Sequence, residues 1–253
     1  MTIIQIGKRY YTFPEKWNEL SRKQLIRIME VFHKDVTVEK ANVLFFRTMA
    51  GLSWFRMKTR LIDVLEHMHL VEWLYEENDE NLLTRNLIPE YKDFHGPADD
   101  FGNVSVLEYF WGEFFFQKWE ETGEQQHLDM LAATLYRPLR KGVYDHKVNP
   151  DNDHREPFNQ NLIETYYTTV CKWPKPVKLA IAKLYRNNFI AIRNKYPDPF
   201  ESSGGSPSRF GFVPLLRDVA ESGHYGTFSD VEKMNIHLFF MDLCISMERS
   251  KKL

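Results

Sequence analysis

Ser21-Arg-Lys-Gln-Leu-Ile-Arg-Ile-Met-Glu-Val-Phe32 is the stretch that decides the fold class. Leu25, Ile28, Met29 and Phe32 recur at i, i+3, i+4 and i+7, which puts them on one face of a helix. Ser21 and Gln24 stand three apart just ahead of that stripe, the signature of a capping box. The same period returns along the chain. Thr37 opens a helix through Val38, Ala41 and Phe45 to about Met49, and Gly51-Leu-Ser53 breaks it. Leu61, Val64, Leu65 and Met68 mark a third helix. Ser105 caps a fourth, with Leu107, Phe110, Trp111 and Phe114 on one face and Gly123 as its stop. Leu128, Leu131, Ala132 and Leu135 mark the next, which ends near Pro138. A short helix fits Asn159–Val170. Pro174 and Pro176 sit where a helix starts, and Val177, Ala180, Ile181 and Leu184 stripe it toward Tyr196. Two more are expected over Val213–Glu221 and Ser229–Arg249. The last carries Val231, Met234, Leu238, Met241 and Ile245 at coiled-coil-like spacing. We read this stripe as a core face, with an oligomer seam as the alternative.

Upstream of Ser21, Thr2-Ile-Ile-Gln-Ile6 alternates and Tyr10-Tyr-Thr-Phe13 follows Gly7-Lys-Arg, so a short β-hairpin or extended arm is expected. The fold class is therefore all-α, a multi-helix bundle of about eight to nine helices with a short N-terminal hairpin or arm. Residues 76–104 and 137–158 are polar and turn-rich and read as connections. Glu201-Ser-Ser-Gly-Gly-Ser-Pro-Ser208 reads as a flexible loop. This divides the chain into a main helical domain over 1–200, the loop over 201–208, and a C-terminal helical pair over 209–253 packed on the main domain.

With 253 residues, the chain makes one large domain or two small ones. Phe 19, Tyr 12 and Trp 6 supply ample core material, while Cys 2 rules out a disulfide scaffold and a thiolate zinc cluster. No apolar run approaches the ~20 residues of a membrane span. The first residues lack a charged n-region, so a cytoplasmic protein with no membrane partner is expected, and association with a virion fits as well.

The net charge of −2 is unevenly spread. Residues 1–71 carry net +5, residues 72–129 net −12, and residues 165–197 carry 7 basic groups and no acid. That basic block holds Lys172, Lys175, Lys178, Lys183, Arg186, Arg193 and Lys195. Several cations on one face would suit phosphate binding, but no nucleic-acid signature accompanies them. A solvated helix face, or a surface that meets the acidic block within or between subunits, explains the block better.

Motifs that carry chemistry are nearly absent. Gly204-Gly205 is followed by Ser-Pro and makes no phosphate loop. Asp151-Asn-Asp-His-Arg-Glu156 fails as a calcium loop, because Glu156 stands where Gly is needed, and reads as a solvated polar loop. His67 and His69 are two apart and point in different directions on a helix. Cys171 has no placed base, and Cys244 lies in an apolar stretch and reads as core. No catalytic, metal or cofactor residue is assigned, and none of these chemistries is expected.

Three stretches together carry a resemblance. They are Phe13-Pro-Glu-Lys-Trp17-Asn-Glu-Leu20-Ser-Arg-Lys-Gln24 with Leu52-Ser-Trp54; His95-Gly-Pro-Ala-Asp-Asp100 with Leu128-Asp-Met-Leu-Ala-Ala-Thr-Leu-Tyr136-Arg-Pro138; and Phe210-Gly-Phe212 with Ala220-Glu-Ser-Gly-His-Tyr-Gly226-Thr-Phe-Ser-Asp-Val231. In order and spacing the chain resembles tail assembly chaperones and related tail-module proteins of phages and prophage-like elements of Bacteroidetes. The resemblance implies a non-enzymatic α-helical protein whose partner is the tape-measure protein or another tail protein. A structural connector or tail-completion component, a homo-oligomer, and a nucleic-acid-binding accessory protein are the alternatives. From the residues alone, Phe114, Phe115 and Phe116 cannot all be buried on one helix face. Trp111, Phe115 and Trp119 are therefore candidates for an apolar partner surface, and Lys175, Lys178, Lys183 and Arg186 for a charged one.

Overall fold

A computed structural model describes residues 1–76, 78–142, 153–201, 213–221 and 225–250. The chain divides into two compact units, Met1–Ile88 with Trp173–Asn187, and Pro89–Lys172 with Asn188–Leu253. The C-terminal helices belong to the second unit. The expected loop over 201–208 lies, Glu201 apart, outside the described residues, as do Phe210-Gly-Phe212 and Asp151-Asn152.

The first unit opens with the expected hairpin. β1 (Thr2–Ile6) pairs antiparallel with β2 (Arg9–Phe13), Thr2 opposite Phe13 and Ile6 opposite Arg9. Ile4, Ile6 and Phe13 are buried, while Ile3 and Tyr10 face solvent. The turn needs Gly7 for its backbone: its φ is +64°, whereas a Cβ there would meet only the end of the exposed Arg60 side chain, which can move aside. α1 (Arg22–Phe32) carries both arms of the Ser21–Gln24 capping box and buries Leu25, Ile28 and Met29. α2 (Val38–Ala50) starts at Thr37 and stops at Gly51 in the left-handed conformation. Trp17 is buried at the centre, edge-on to Trp73 with ring centroids 5.5 Å apart.

The expected third helix is a different object. It is split at Arg60 into α3 (Trp54–Thr59) and α4 (Leu61–Glu66), followed by a 3-10 segment over Met68–Tyr75. Met57 is the buried residue of α3 and Val64 of α4, while Leu61 and Leu65, expected on a buried face, point outward.

In the second unit, β3 (Glu90–Tyr91) and β4 (Phe94–His95) form a small hairpin that the polar sequence of 76–104 did not announce. α5 (Val106–Thr122) is capped by Ser105 and ends at left-handed Gly123, both as expected. Its buried face is rotated from the expected one: Tyr109, Phe110, Glu113 and Phe116 go inward and Phe114 outward. α6 (Gln125–Leu135) packs against both α5 and α7 (Ile163–Val170). α8 (Lys175–Lys195) buries Val177, Ala180, Ile181 and Leu184, all in the part belonging to the first unit. α9 (Asp198–Glu201) and α10 (Val213–Glu221) follow in the second unit.

The single helix expected over Ser229–Arg249 is two, α11 (Phe228–Lys233) and α12 (Ile236–Ser250). The break is tertiary in origin. Val106 N–H donates to the Met234 carbonyl at 2.9 Å, and Ile236 N–H to the Val104 carbonyl at 3.0 Å. The Asn235 amide donates to the Gly102 carbonyl at 2.8 Å. Backbone groups that would continue the helix are consumed by this bridge. The coiled-coil-like stripe is also corrected. Ile236, Phe239 and Phe240 form the core face, and Leu238, Met241 and Ile245 are 49%, 42% and 40% exposed. The described residues thus hold an all-α fold of twelve helices, several of them one turn long, with two small hairpins.

Candidate functional site

The densest polar cluster lies in the second unit and is interior. Glu108 on α5 accepts from Arg137 Nη1 at 2.7 Å and from Arg155 Nη1 at 2.8 Å. Arg155 Nε donates to Asp153 at 2.8 Å, and Arg137 Nη2 lies 3.4 Å from Asp153. Both guanidinium groups are buried, and their other donors meet the carbonyls of Thr134, Leu135, Asn103 and Glu156. Two cations face two anions, and each charge meets a partner of opposite sign. The cluster pins the segment after residue 153 to α5 and α6. It corrects the reading of that segment as a solvated loop. Arg155 is 2% exposed because five guanidinium donors can be satisfied there by carboxylates and carbonyls. Among the described residues, no group of three His, Cys, Asp or Glu is placed to hold a metal ion. Cys171 and Cys244 are both half-buried.

The aromatic candidates sit on α5. Trp111, Phe114 and Phe115 stand at i, i+3 and i+4 and gather into one surface cluster, with ring centroids 5.3 to 5.8 Å apart. The Trp111 indole is fixed by donating to Gln160 Oε1 at 2.8 Å. Phe114 is 48% exposed, and Trp111 and Phe115 are half-buried. Trp119 does not join them; its ring packs on Phe116 at 5.9 Å. The structure therefore brings together two of the three expected residues and adds Phe114, whose neighbour Phe116 is turned into the core.

The four basic candidates lie on the first-unit part of α8 and do not form one open cationic face. Lys178 is 2% exposed. Lys183 is half-buried, its ammonium 4.7 Å from the Trp17 ring centroid. Lys175 is exposed and Arg186 half-buried.

A second apolar surface, missed from sequence, lies on α3 and α4. Trp54, Phe55, Leu61, Ile62 and Leu65 are all exposed, Phe55 at 76% and Ile62 at 73%. Arg56, Lys58 and Arg60 are exposed among them. Asp63 accepts from the Gly7 amide at 2.9 Å, which ties α4 to the hairpin turn. The signal was present: a segment with two adjacent aromatic residues and three cations, split in the middle, has more apolar positions than a one-turn helix can bury. Among the described residues, no helix is long and apolar enough to cross a membrane. No protein-family model, curated protein or solved structure matches the chain.

Proposed function

We propose that this chain is a non-enzymatic protein–protein interaction protein of phage-type tail assembly, acting in the host cytoplasm as a chaperone of the tape-measure protein. The observation that carries the reading is the surface cluster of Trp111, Phe114 and Phe115 on α5. Rigid aromatic side chains on an ordered helix lose little entropy on binding and anchor apolar partners well. A tape-measure protein is a long apolar helical client, and an aromatic-bearing helix can cover such a surface before the tail tube closes on it. Nucleic-acid binding is the weaker reading, because Lys178 is buried and Lys183 lies against Trp17.

Co-expression with the tape-measure protein encoded nearby tests the reading. A soluble complex in the lysate, lost in Phe114→Ser and absent from the finished particle, is the expected result. A fixed copy number in the particle would replace the chaperone with a structural connector. No complex and no copies in the particle would end the tail-assembly reading.

A further inference from the structure

In the first unit, α1 and the turn from α2 into α3 enclose an open concavity of about 360 Å3. Lys23 and Arg27, one turn apart on α1, line it together with Arg47 of α2, and no carboxylate does. Ser21 and Gln24 also line it, but they satisfy each other through the capping box, and Gln24 further donates to the Met49 carbonyl. Among the described residues, none of the three cations forms an ion pair.

Arg47 is held in place before any ligand arrives. Its Nε donates to the Leu52 carbonyl at 3.2 Å, and its guanidinium carbon lies 4.4 Å from the centre of the Trp54 ring. The hydrogen bond and the ring hold the guanidinium at two points, and among the described residues its two terminal nitrogens have no hydrogen-bond partner, which leaves them for an oxyanion. A pre-organised fork of this kind selects carboxylate or phosphate. Trp54 is also the first residue of the exposed α3–α4 ledge, so the cationic concavity and the apolar ledge are continuous.

We propose that the concavity and the ledge form one docking site for an acidic amphipathic segment of a protein partner. Carboxylates of the segment meet Lys23, Arg27 and Arg47, and its apolar side chains cover Trp54, Phe55 and Ile62. Charge complementarity sets the sign of the partner: residues 1–71 are net +5, and the charged residues that line the concavity are all cations. This rests on the reading of the chain as a protein-binding protein and adds the chemistry of what it binds.

The test is anisotropy of a labelled, blocked helical peptide whose leucine stripe is edged with glutamate, titrated with the full chain. A lysine-edged twin is the control. The glutamate peptide is expected to bind, to weaken with added salt, and to lose about tenfold or more in affinity in Lys23→Glu/Arg27→Glu and in Phe55→Ser. These side chains are exposed, so the variants keep their fold, which circular dichroism checks. Equal binding of the two peptides, or no loss in the double variant, overturns the site. Binding to phosphatidylglycerol vesicles without binding to the peptide overturns it in favour of a membrane surface. A dimer abolished by the double variant, again without peptide binding, overturns it in favour of a second copy. If the glutamate peptide does not bind while the wild type and the double variant carry the tape-measure protein equally, the tail-assembly reading stands and this site falls. If the peptide binds as expected but no tape-measure complex forms, the site stands and that client falls.

Discussion

α6 and α4 have apolar residues at the same spacing and opposite fates. In α6, Leu128, Leu131, Ala132 and Leu135 are all 0% exposed. In α4, Val64 is buried at 1%, but Leu61 and Leu65 are 55% and 57% exposed. The difference is one of neighbours. α6 is 11 residues long and meets helices on two sides, whereas α4 is 6 residues long and rests on the hairpin turn and the 3-10 segment after it. Periodicity says which residues share a face. It does not say whether anything meets that face. Leaving a large apolar side chain in water forgoes roughly 1.5–3 kcal/mol. A face of five such residues is therefore a store of binding energy when a partner covers it.

The sharpest way to break this contrast is at the end of α6, where Arg137 turns into the buried charge cluster. Glu108→Gln leaves two buried guanidinium groups facing each other with Asp153 alone between them. Removing one partner from a buried charge network costs about 3–5 kcal/mol, so urea denaturation should show a large fall in midpoint. A loss below about 1 kcal/mol would mean that water reaches the cluster and that the interior of the second unit is less closed than its burial indicates. Leu131→Ala comes next. It empties a site that is 0% exposed and should cost about 2–5 kcal/mol.

Local patterns announced the parts of the fold that local rules govern. The Ser21 and Ser105 caps, the Gly51 and Gly123 stops, the hairpin at Thr2–Phe13 and the buried stripe of α6 all follow from residues within a few positions of one another. The parts that long-range contacts govern were not legible. The bridge between Val104–Val106 and Met234–Ile236 splits a helix whose apolar stripe runs through the break, where Asn235, the N-cap of α12, is a faint local signal. Arg155 reads as solvated until Glu108, 47 residues earlier, is seen beside it. The candidate surfaces divide in the same way. Three consecutive phenylalanines forced one outward, but only the fold shows that it is Phe114. The cations of α8 read as a surface until the burial of Lys178 is seen.

The closed interior of the second unit has a titratable weak point. Glu113 is 7% exposed; Gln117 donates to its Oε1 at 3.0 Å, and its Oε2 has no hydrogen-bond partner. Burial pushes its carboxyl up to about 8, and the more distant Arg193 charge pulls it down only in part. The folded state thus holds a proton that the unfolded state releases near its ordinary value of 4.5. The stability this proton contributes is present below that value and is lost as pH rises toward about 8. The slope for one such group is about 1.4 kcal/mol per pH unit. Glu113→Gln should flatten the decline in urea midpoint between pH 5 and pH 8. An unchanged profile would place the titration elsewhere.

The smallest effect is the one that tests the lesson of α4. Ile62 is 73% exposed, so Ile62→Ser removes almost no buried surface. Its stability should stay within about 0.5 kcal/mol of the wild type. Solubility at high concentration should rise, because an apolar patch has been interrupted. A loss as large as that of Leu131→Ala would mean that the ledge is already covered in the free chain and has no binding energy to give. Near-neutral stability joined to weaker peptide binding would locate the function of this face in what it meets, since the fold does not use it.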